Sequence, residues 1–259
     1  MSSALPVGRA ALVIGHPGHE LRVHRWLELA RPTVFVLTDG SGHGQPGRLA
    51  STDRIVRGAG ASAGLIFGRL TDRMLYDMLV RGEVGAWIEM ASELAGHLLR
   101  LEIDYVVADA AEGFNPTHDL SRYVVDAAIA RVSRESKREL PAFEFDLDAA
   151  PDADHAPPGQ GSFHIGLDEE ALERKIESAL DYVEMREEVA ALLARFGRRA
   201  FALEAFRPSR SGSARWLNEL PEYERYGQRR VASGLYSTVI TYGTHLAPVQ
   251  AALSAWSRG

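Results

Sequence analysis

The sequence contains no cysteine, so it can form no disulfide bond and offers no thiolate to a metal ion. Any metal site must therefore use histidine and carboxylate side chains. Lysine occurs only at Lys137 and Lys175, and the formal net charge is −6. A chain with this charge lacks the strongly basic surface that neutralises phosphate groups, which argues against a general nucleic-acid binder.

The sequence also lacks a long uninterrupted apolar run, so we expect no membrane-spanning segment. Its first residues show no basic stretch followed by a signal-type apolar stretch, and we expect a cytoplasmic protein. Hydrophobic residues make up 46% of the 259 residues and charged residues 25%, which is typical of a globular protein. We predict one domain over residues 1–259, with a core over 1–147, a surface loop over 148–162 and a mainly helical part over 163–259.

Short apolar runs alternate with amphipathic stretches in the first half of the chain. Runs rich in β-branched and aromatic residues are typical of strands buried on both faces. The predicted strands cover residues 10–14, 33–38, 65–68, 104–108 and 142–146. Helical spacing of apolar residues between them predicts right-handed crossovers and a mostly parallel sheet. The fold class expected is therefore a Rossmann-like, three-layer αβα fold followed by a helical C-terminal region.

Histidines follow two of these predicted strands. His16 and His19 lie in the turn after the first strand, and His118 lies in the segment NPTHD after the fourth. Asn115 is a suitable N-cap and Pro116 fits the first helical position, which places His118 in the first turn of a helix. In the strand order 3-2-1-4, strands one and four are neighbours at the switch point where such folds bind ligands. Three imidazoles with an open fourth position are a catalytic zinc pattern, whereas surface or capping roles are the simpler alternative.

Three segments resemble motifs of the PIG-L/LmbE family of zinc-dependent N-acetylglucosaminyl deacetylases. VIGHPGHE resembles the family's AHPDDE signature, LTDGSGHG resembles its TDGE-like second-strand ending, and NPTHD resembles its later HPDH motif. The order and spacing of the three motifs match over the first half of the chain. The resemblance implies that His16, His19 and His118 bind Zn²⁺ or another divalent metal.

The sequence departs from the family where the chemistry is done. Gly18 stands where the family has its general base, and His19 replaces a carboxylate ligand. Asn115 replaces the histidine that assists the oxyanion, and Thr117 replaces the aspartate that orients that histidine. A neutral imidazole ligand leaves the metal centre more positive, and a three-histidine zinc site lowers the pKa of its water to about 7. A metal-bound hydroxide then needs no dedicated base, and we expect Gly18 to leave open space beside the metal.

Other residues are candidates for the remaining roles. Asn115 is a candidate donor to an oxyanion through its amide. Protonation of a leaving amine needs a further group, for which the candidates are Glu20, Asp109, Asp119 and His245. Each of these four also has a structural alternative as a helix, cap or surface residue.

The glycine-rich stretch after the second strand is a candidate lining for a substrate pocket. Asp39 would hold sugar hydroxyls, His43 would lie at the rim, and Arg207 would meet a phosphate on a nucleotide- or lipid-linked sugar. A flexible loop and a solvated arginine are the structural alternatives. The first turn has G-x-x-G and not G-x-G-x-x-G, so the dinucleotide fingerprint is missing.

The leading hypothesis is a zinc-dependent hydrolase that removes an N-acyl group from an amino sugar or glycoconjugate through a metal-bound hydroxide. We expect its partner to be a small-molecule substrate, a sugar or glycoconjugate, and we expect no nucleic-acid partner and no membrane span. A homo-oligomer is an alternative to a monomer. The alternatives are a metal enzyme with altered chemistry, such as ester hydrolysis or another biosynthetic step, and a non-catalytic binding protein. A nucleotide-dependent transferase on a Rossmann scaffold is a further alternative.

Overall fold

The computed structural model describes residues 5–42, 46–148, 160–209 and 220–259. Within these residues the strands are β1 Ala10–Ile14, β2 Thr33–Thr38, β3 Ser62–Leu70, β4 Tyr105–Asp109, β5 Ala142–Phe145, β6 Phe163–Gly166 and β7 Leu203–Pro208. They form one sheet in the order β3-β2-β1-β4-β5-β7-β6. The first five strands pair in parallel, and β7 pairs antiparallel with both β5 and β6.

Helices follow the strands in chain order. They are α1 His24–Ala30, α2 Leu49–Gly58, α3 Asp72–Arg81, α4 Val84–Arg100, α5 Pro116–Ser136, α6 Glu169–Leu180, α7 Arg186–Phe196, α8 Glu222–Ala232 and α9 Ala247–Arg258. Helices cover both faces of the sheet, so the predicted three-layer α/β fold and the strand order 3-2-1-4 are confirmed.

Strand β1 shows why the apolar runs form central strands. All five of its side chains are buried, and alternate residues face opposite sides of the sheet. Val13 packs into the core shared with α3, α4, α5 and α9, whereas Leu12 packs into the core shared with α1 and α2. A strand buried on both faces shows a continuous apolar run, which is the pattern that the sequence analysis used.

Two strands in the C-terminal part were not predicted. Strand β7 carries Glu204 and Arg207, and these charged residues interrupt the apolar pattern from which a strand is predicted. Both charges are paired in the fold: Lys175 Nζ lies 2.8 Å from Glu204 Oε1, and Arg207 binds the carboxylates of Glu144 and Asp146. The region predicted to be mainly helical therefore also extends the sheet.

The helix predicted after Asp168 is present. The Asp168 side chain accepts a hydrogen bond from Ala171 N at 2.8 Å and caps α6 as expected. Most of the predicted 148–162 loop lies outside the described residues. No helix in the described parts of the chain combines the length and the apolar character needed to cross a membrane.

Candidate functional site

The three predicted histidines lie together at the carboxyl edge of the sheet. Strands β1 and β4 are direct neighbours, with Val13 opposite Ala108, so the segments that follow them leave the sheet side by side. The ring centroids of His16 and His19 are 5.4 Å apart, those of His16 and His118 5.2 Å, and those of His19 and His118 4.6 Å. The structure therefore brings all three imidazoles into one cluster, which we call the histidine cluster.

Local backbone chemistry puts the rings there. Gly18 has φ 104°, a left-handed value that lets the chain reverse between His16 and His19. On the other segment, Asn115 Oδ1 accepts a hydrogen bond from Thr117 N at 2.8 Å, and Pro116 starts α5. The predicted N-cap at Asn115 is thus present, and His118 lies in the first turn of α5.

His16 is oriented through its Nδ1 atom. This atom lies 2.7 Å from Thr38 Oγ1 and 3.2 Å from Asp72 Oδ1, at the start of α3. The Thr38 hydroxyl donates its own proton to the carbonyl oxygen of Gly15 at 3.0 Å, so Thr38 accepts from His16. Nδ1 of His16 therefore carries the proton, and Nε2 keeps the lone pair.

His19 is oriented in the same way by Asp109. Its Nδ1 lies 2.8 Å from Asp109 Oδ2, and the same oxygen accepts from Gly15 N at 2.7 Å. Asp109 is fully buried, and its two hydrogen-bond donors, Gly15 N and His19 Nδ1, hold the carboxylate in position. A histidine that donates one ring N–H to a carboxylate and keeps the other nitrogen free is the arrangement of histidine ligands in metal sites.

His118 differs, because its Nδ1 atom is buried and has no hydrogen-bond partner among the described residues. Burial and the nearby charges of His19 and His16 hold the pKa of His118 well below its usual value. Burial also lowers the pKa of His16, although Asp72 opposes this shift. His16 and His118 are therefore neutral at pH 7, and a metal ligand must be in that protonation state.

The donor set fits a divalent metal in chemistry and spacing. Three imidazoles bound to one tetrahedral zinc at about 2 Å would have ring centroids about 5 Å apart, and the observed separations surround that value. The described residues contain no group of three or more His, Asp or Glu side chains that meets the geometry of a metal site as it stands. The fit consequently rests on the ring spacing, on the lone pairs left by Thr38 and Asp109, and on the unpartnered nitrogen of His118.

The space beside Gly18 is not open, and the expectation that glycine would leave room there was wrong. A Cβ atom at position 18 would collide with the sulfur of Met185, which follows α6, and would approach the ring of Tyr182. Met185 thus fills the position from which a carboxylate would project. The left-handed backbone at Gly18 directs a Cβ toward Tyr182 and Met185, which are distant in the sequence and close only in the folded chain.

Two of the predicted acids have structural contacts. Glu20 is fully buried, and its carboxylate accepts hydrogen bonds from Gly18 N and from Thr52 Oγ1, both at 2.7 Å. Asp119 is also fully buried, and its Oδ1 accepts from the backbone N–H groups of Glu112 and Gly113, both at 3.0 Å. These contacts hold the two loops that carry the histidine cluster.

The remaining predicted residues that the structure describes make their contacts with residues outside the histidine cluster. Asp39 accepts a hydrogen bond from Ser41 N at 2.9 Å in the turn after β2. His245 Nδ1 accepts from Thr241 N at 3.0 Å, in the turn that precedes α9. Arg207 forms two 2.6 Å bonds to Asp146, so its charge is already neutralised. His43 lies outside the described residues.

Sequence reasoning missed Arg48, which lies beside the histidine cluster at the start of α2. A Cβ atom at Gly40 would be 2.7 Å from Arg48 Nε and 3.1 Å from Pro17, and the Arg48 charge lowers the pKa of His16. Within the described part of the chain its buried Nε has no hydrogen-bond partner, and its charge is attracted to the carboxylate of Asp72. No signal singled it out, because the sequence contains many arginines.

Glu112, three residues after the end of β4, was also missed, because no motif in the sequence distinguishes it from the other carboxylates. Its carboxylate accepts hydrogen bonds from Leu147 N at 2.8 Å and from Asp148 N at 3.2 Å. Burial, together with the charges of Asp146 and Asp148, raises the pKa of Glu112 to about 7. It therefore titrates in the neutral range at the edge of the sheet where the histidine cluster lies.

Comparisons with known proteins find the fold and not the sequence family. No family model matches the chain, and no curated protein matches it. Among solved structures, a deacetylase in complex with teicoplanin has TM-score 0.55 and 13% identity over 79% of this chain and 100% of that chain. The zinc-inhibited form of teicoplanin deacetylase has TM-score 0.51 and 12% identity over 79% of this chain and 100% of that one.

A deacetylase of an antimicrobial pseudoaglycone has TM-score 0.51 and 16% identity, over 77% of this chain and 96% of that chain. At these identities the likeness shows a shared fold alone. The chain therefore has the three-layer α/β fold of these deacetylases, as the resemblance in the first half of the sequence implied.

Proposed function

We propose that this protein is a metal-dependent hydrolase that removes an N-acyl group from an amino sugar or glycoconjugate. The observation that carries the proposal is the convergence of His16, His19 and His118, with the Nδ1 atoms of the first two engaged by Thr38 and Asp109. The fold shared with deacetylases supports the reaction class, since the name of those proteins indicates that they remove acetyl groups.

The three histidines would hold a divalent metal, with zinc as the expected ion. When bound, the metal would polarise an acyl carbonyl and lower the pKa of a water molecule. Thr38 and Asp109 fix the ring tautomers of His16 and His19 and keep their Nε2 lone pairs available, and the Asp72 carboxylate lies 3.2 Å from His16 Nδ1. Burial keeps His16 and His118 neutral, so protons do not compete for these nitrogens at pH 7.

Two further side chains would bind the substrate. The Asn115 Oδ1 atom is engaged by Thr117 N, which leaves the amino group of the same amide to donate to an oxyanion. The Arg48 guanidinium, whose Nε has no hydrogen-bond partner among the described residues, would donate to hydroxyl or anionic oxygens of the substrate. Asp39 remains our candidate for a sugar hydroxyl, because it lies at the same edge of the sheet after β2.

Ester hydrolysis is a second candidate, and the Met185 sulfur favours it. Met185 fills the position where a base would project from residue 18, and Glu20, Asp109 and Asp119 are fully buried with their carboxylates held by backbone or side-chain donors. The leaving group of an ester is an alkoxide, which can depart with less help from an acid than the nitrogen of an amide needs. A site without a well-placed acid would therefore cleave esters more readily than matched amides.

A matched amide and ester pair distinguishes the two reactions. We would measure hydrolysis of an N-acetyl amino sugar and of its O-acetyl counterpart, with and without a chelator, for the wild type, His118→Ala and His164→Ala. His164 lies in β6, away from the histidine cluster, and serves as the control. Chelator-sensitive amide cleavage that His118→Ala abolishes supports the deacetylase. Ester cleavage alone supports the second reaction, and no metal-dependent cleavage of either compound contradicts both.

A further inference from the structure

Three tyrosines and one arginine form a cluster on the surface between α3 and the segment that follows α8. The ring centroids of Tyr76 and Tyr236 are 6.1 Å apart, and those of Tyr226 and Tyr236 are 6.3 Å apart. Arg230 Cζ lies 5.6 Å from the centroid of Tyr226 and 5.3 Å from that of Tyr236. We call these four residues the tyrosine cluster.

The tyrosine cluster adjoins the histidine cluster through α3. This helix begins at Asp72, whose carboxylate lies 3.2 Å from His16 Nδ1. Tyr76 follows Asp72 by four residues and is therefore on the same face of the helix, one turn farther out. The first ring of the tyrosine cluster thus stands one helical turn from Asp72, the residue of α3 that contacts His16.

Helix α8 makes the same connection from the other side. Near its start, Tyr223 N donates to the carbonyl oxygen of Gly113 at 3.4 Å, and Gly113 lies two residues before Asn115, the N-cap of the His118 helix. Tyr226 follows Tyr223 by three residues along α8. Helices α3 and α8 therefore both begin next to segments that carry the histidine cluster, and both contribute tyrosines to the tyrosine cluster.

The tyrosine cluster is both fixed and accessible. The Tyr76 hydroxyl donates to the carbonyl oxygen of Thr238 at 2.7 Å, which orients its ring. Tyr226 is 40% exposed, and the neighbouring Leu235 is 59% exposed. Tyr226 is therefore exposed, whereas Tyr76 and Tyr236 are half-buried. A ring held in position in this way can bind a planar group, because aromatic pairs gain attraction beyond the apolar area that they bury.

We propose that the tyrosine cluster is a substrate subsite that binds a planar aromatic group attached next to the acylated amine. The inference rests on the proposed function, since it assumes that the histidine cluster is the reacting centre. A small occupant fits better than a protein partner, because a stable protein interface needs about 800 Å² on each side. Three rings and one leucine offer far less. The substrate class is therefore an N-acyl glycoside or glycoconjugate that carries an aromatic group.

The test is equilibrium binding of a pair of ligands that differ only in aromaticity. We would titrate phenyl and cyclohexyl N-acetyl-β-glucosaminide into the full-length protein by calorimetry. The titrations would be repeated in the His118→Ala background, where turnover cannot consume the ligand. The variants are Tyr226→Phe, which keeps the ring, and Tyr226→Leu, which keeps apolar volume without a ring. Leu29→Ala, at an exposed position on α1, is the control.

The proposal predicts that the wild type and Leu29→Ala bind the phenyl glycoside about fivefold to tenfold more tightly than the cyclohexyl glycoside. Tyr226→Phe should keep this preference, and Tyr226→Leu should lose it. Equal dissociation constants in the wild type, no saturable binding of the phenyl glycoside, or a preference that survives Tyr226→Leu would overturn the subsite. If the preference is present but no N-acyl compound is hydrolysed, the subsite stands and the proposed reaction fails.

Discussion

The sulfur of Met185 occupies the space that any side chain at position 18 would need, so Gly18 and Met185 are coupled across the candidate site. Gly18 also has a left-handed φ of 104°, which strains every residue with a Cβ. A carboxylate at this position would therefore strain the backbone and require the Met185 side chain to move, although the resembling family has one there.

We predict that Gly18→Asp lowers the free energy of unfolding by about 2–4 kcal/mol, because backbone strain and overpacking add. The measurement is denaturant unfolding of the wild type and the variant. Gly82→Asp is the matched control, since Gly82 has φ 66° with open space around it and reports strain alone. Combining Gly18→Asp with Met185→Ala should recover part of the loss. Equal effects at Gly18 and Gly82 would show that Met185 does not matter.

Asp109 and Asp72 should control metal affinity through the histidines that they orient. Asp109→Asn removes the negative charge that holds His19 Nδ1, and we expect metal affinity to fall about 10–100-fold. Asp72→Asn should act in the same direction through His16, by a smaller factor, because Thr38 also holds that ring. Competition with a metal-binding dye measures both. Asp53→Asn on α2, whose partner is Arg57, should leave the affinity unchanged, and loss of affinity there would point to a general charge effect.

Arg48 should contribute to substrate binding and little to stability. Its buried Nε has no hydrogen-bond partner among the described residues and its charge is attracted only weakly to Asp72, so Arg48→Ala should change the free energy of unfolding by less than about 1 kcal/mol. Because the Arg48→Ala variant would lose the proposed hydrogen bonds from the guanidinium to the substrate, kcat/KM on the best N-acyl or O-acyl compound should fall about 100-fold. Arg57→Ala, on the exposed face of the same helix, is the control. A large loss of stability in Arg48→Ala with unchanged kcat/KM would assign the arginine a structural role.

Glu112 should make stability depend on pH in the neutral range. Its pKa is raised from 4.5 to about 7, so folding favours the protonated carboxyl. This contribution to stability is complete below pH 4.5 and is lost as pH rises toward 7. Glu112→Gln should therefore flatten the fall in unfolding free energy between pH 4.5 and 7, measured by denaturant titration at several pH values. Glu139→Gln, an exposed carboxyl, should leave the slope as in the wild type. An unchanged slope in Glu112→Gln would contradict the assignment.

The parallel part of the fold was predictable because its strands are buried on both faces. The runs at 10–14 and 33–38 coincide with β1 and β2, and the predicted neighbour relationship of β1 with β4 placed the histidines at one edge. The antiparallel strands β6 and β7 were not predicted, since Glu204 and Arg207 interrupt the apolar pattern of β7. Their charges are satisfied by residues far along the chain, Lys175 and Asp146, and a local pattern cannot show such pairing.

The candidate site divides in the same manner. Spacing and strand order predicted that His16, His19 and His118 would meet, because each lies directly after a strand or in the first turn of a helix. The roles of Asp72, Arg48 and Met185 depend on packing between elements distant in sequence. Met185 follows α6, and only the folded chain brings its sulfur against Gly18. The expected opening beside Gly18 failed for that reason.

The most direct test of the account is the metal content of the purified protein. Wild type, His118→Ala and the control His164→Ala would be purified without chelator, incubated with zinc, desalted and analysed by elemental analysis. The account predicts about one zinc per chain in the wild type and in His164→Ala, and little in His118→Ala. A wild type that holds no metal after incubation would contradict the central claim that the three histidines form one metal site.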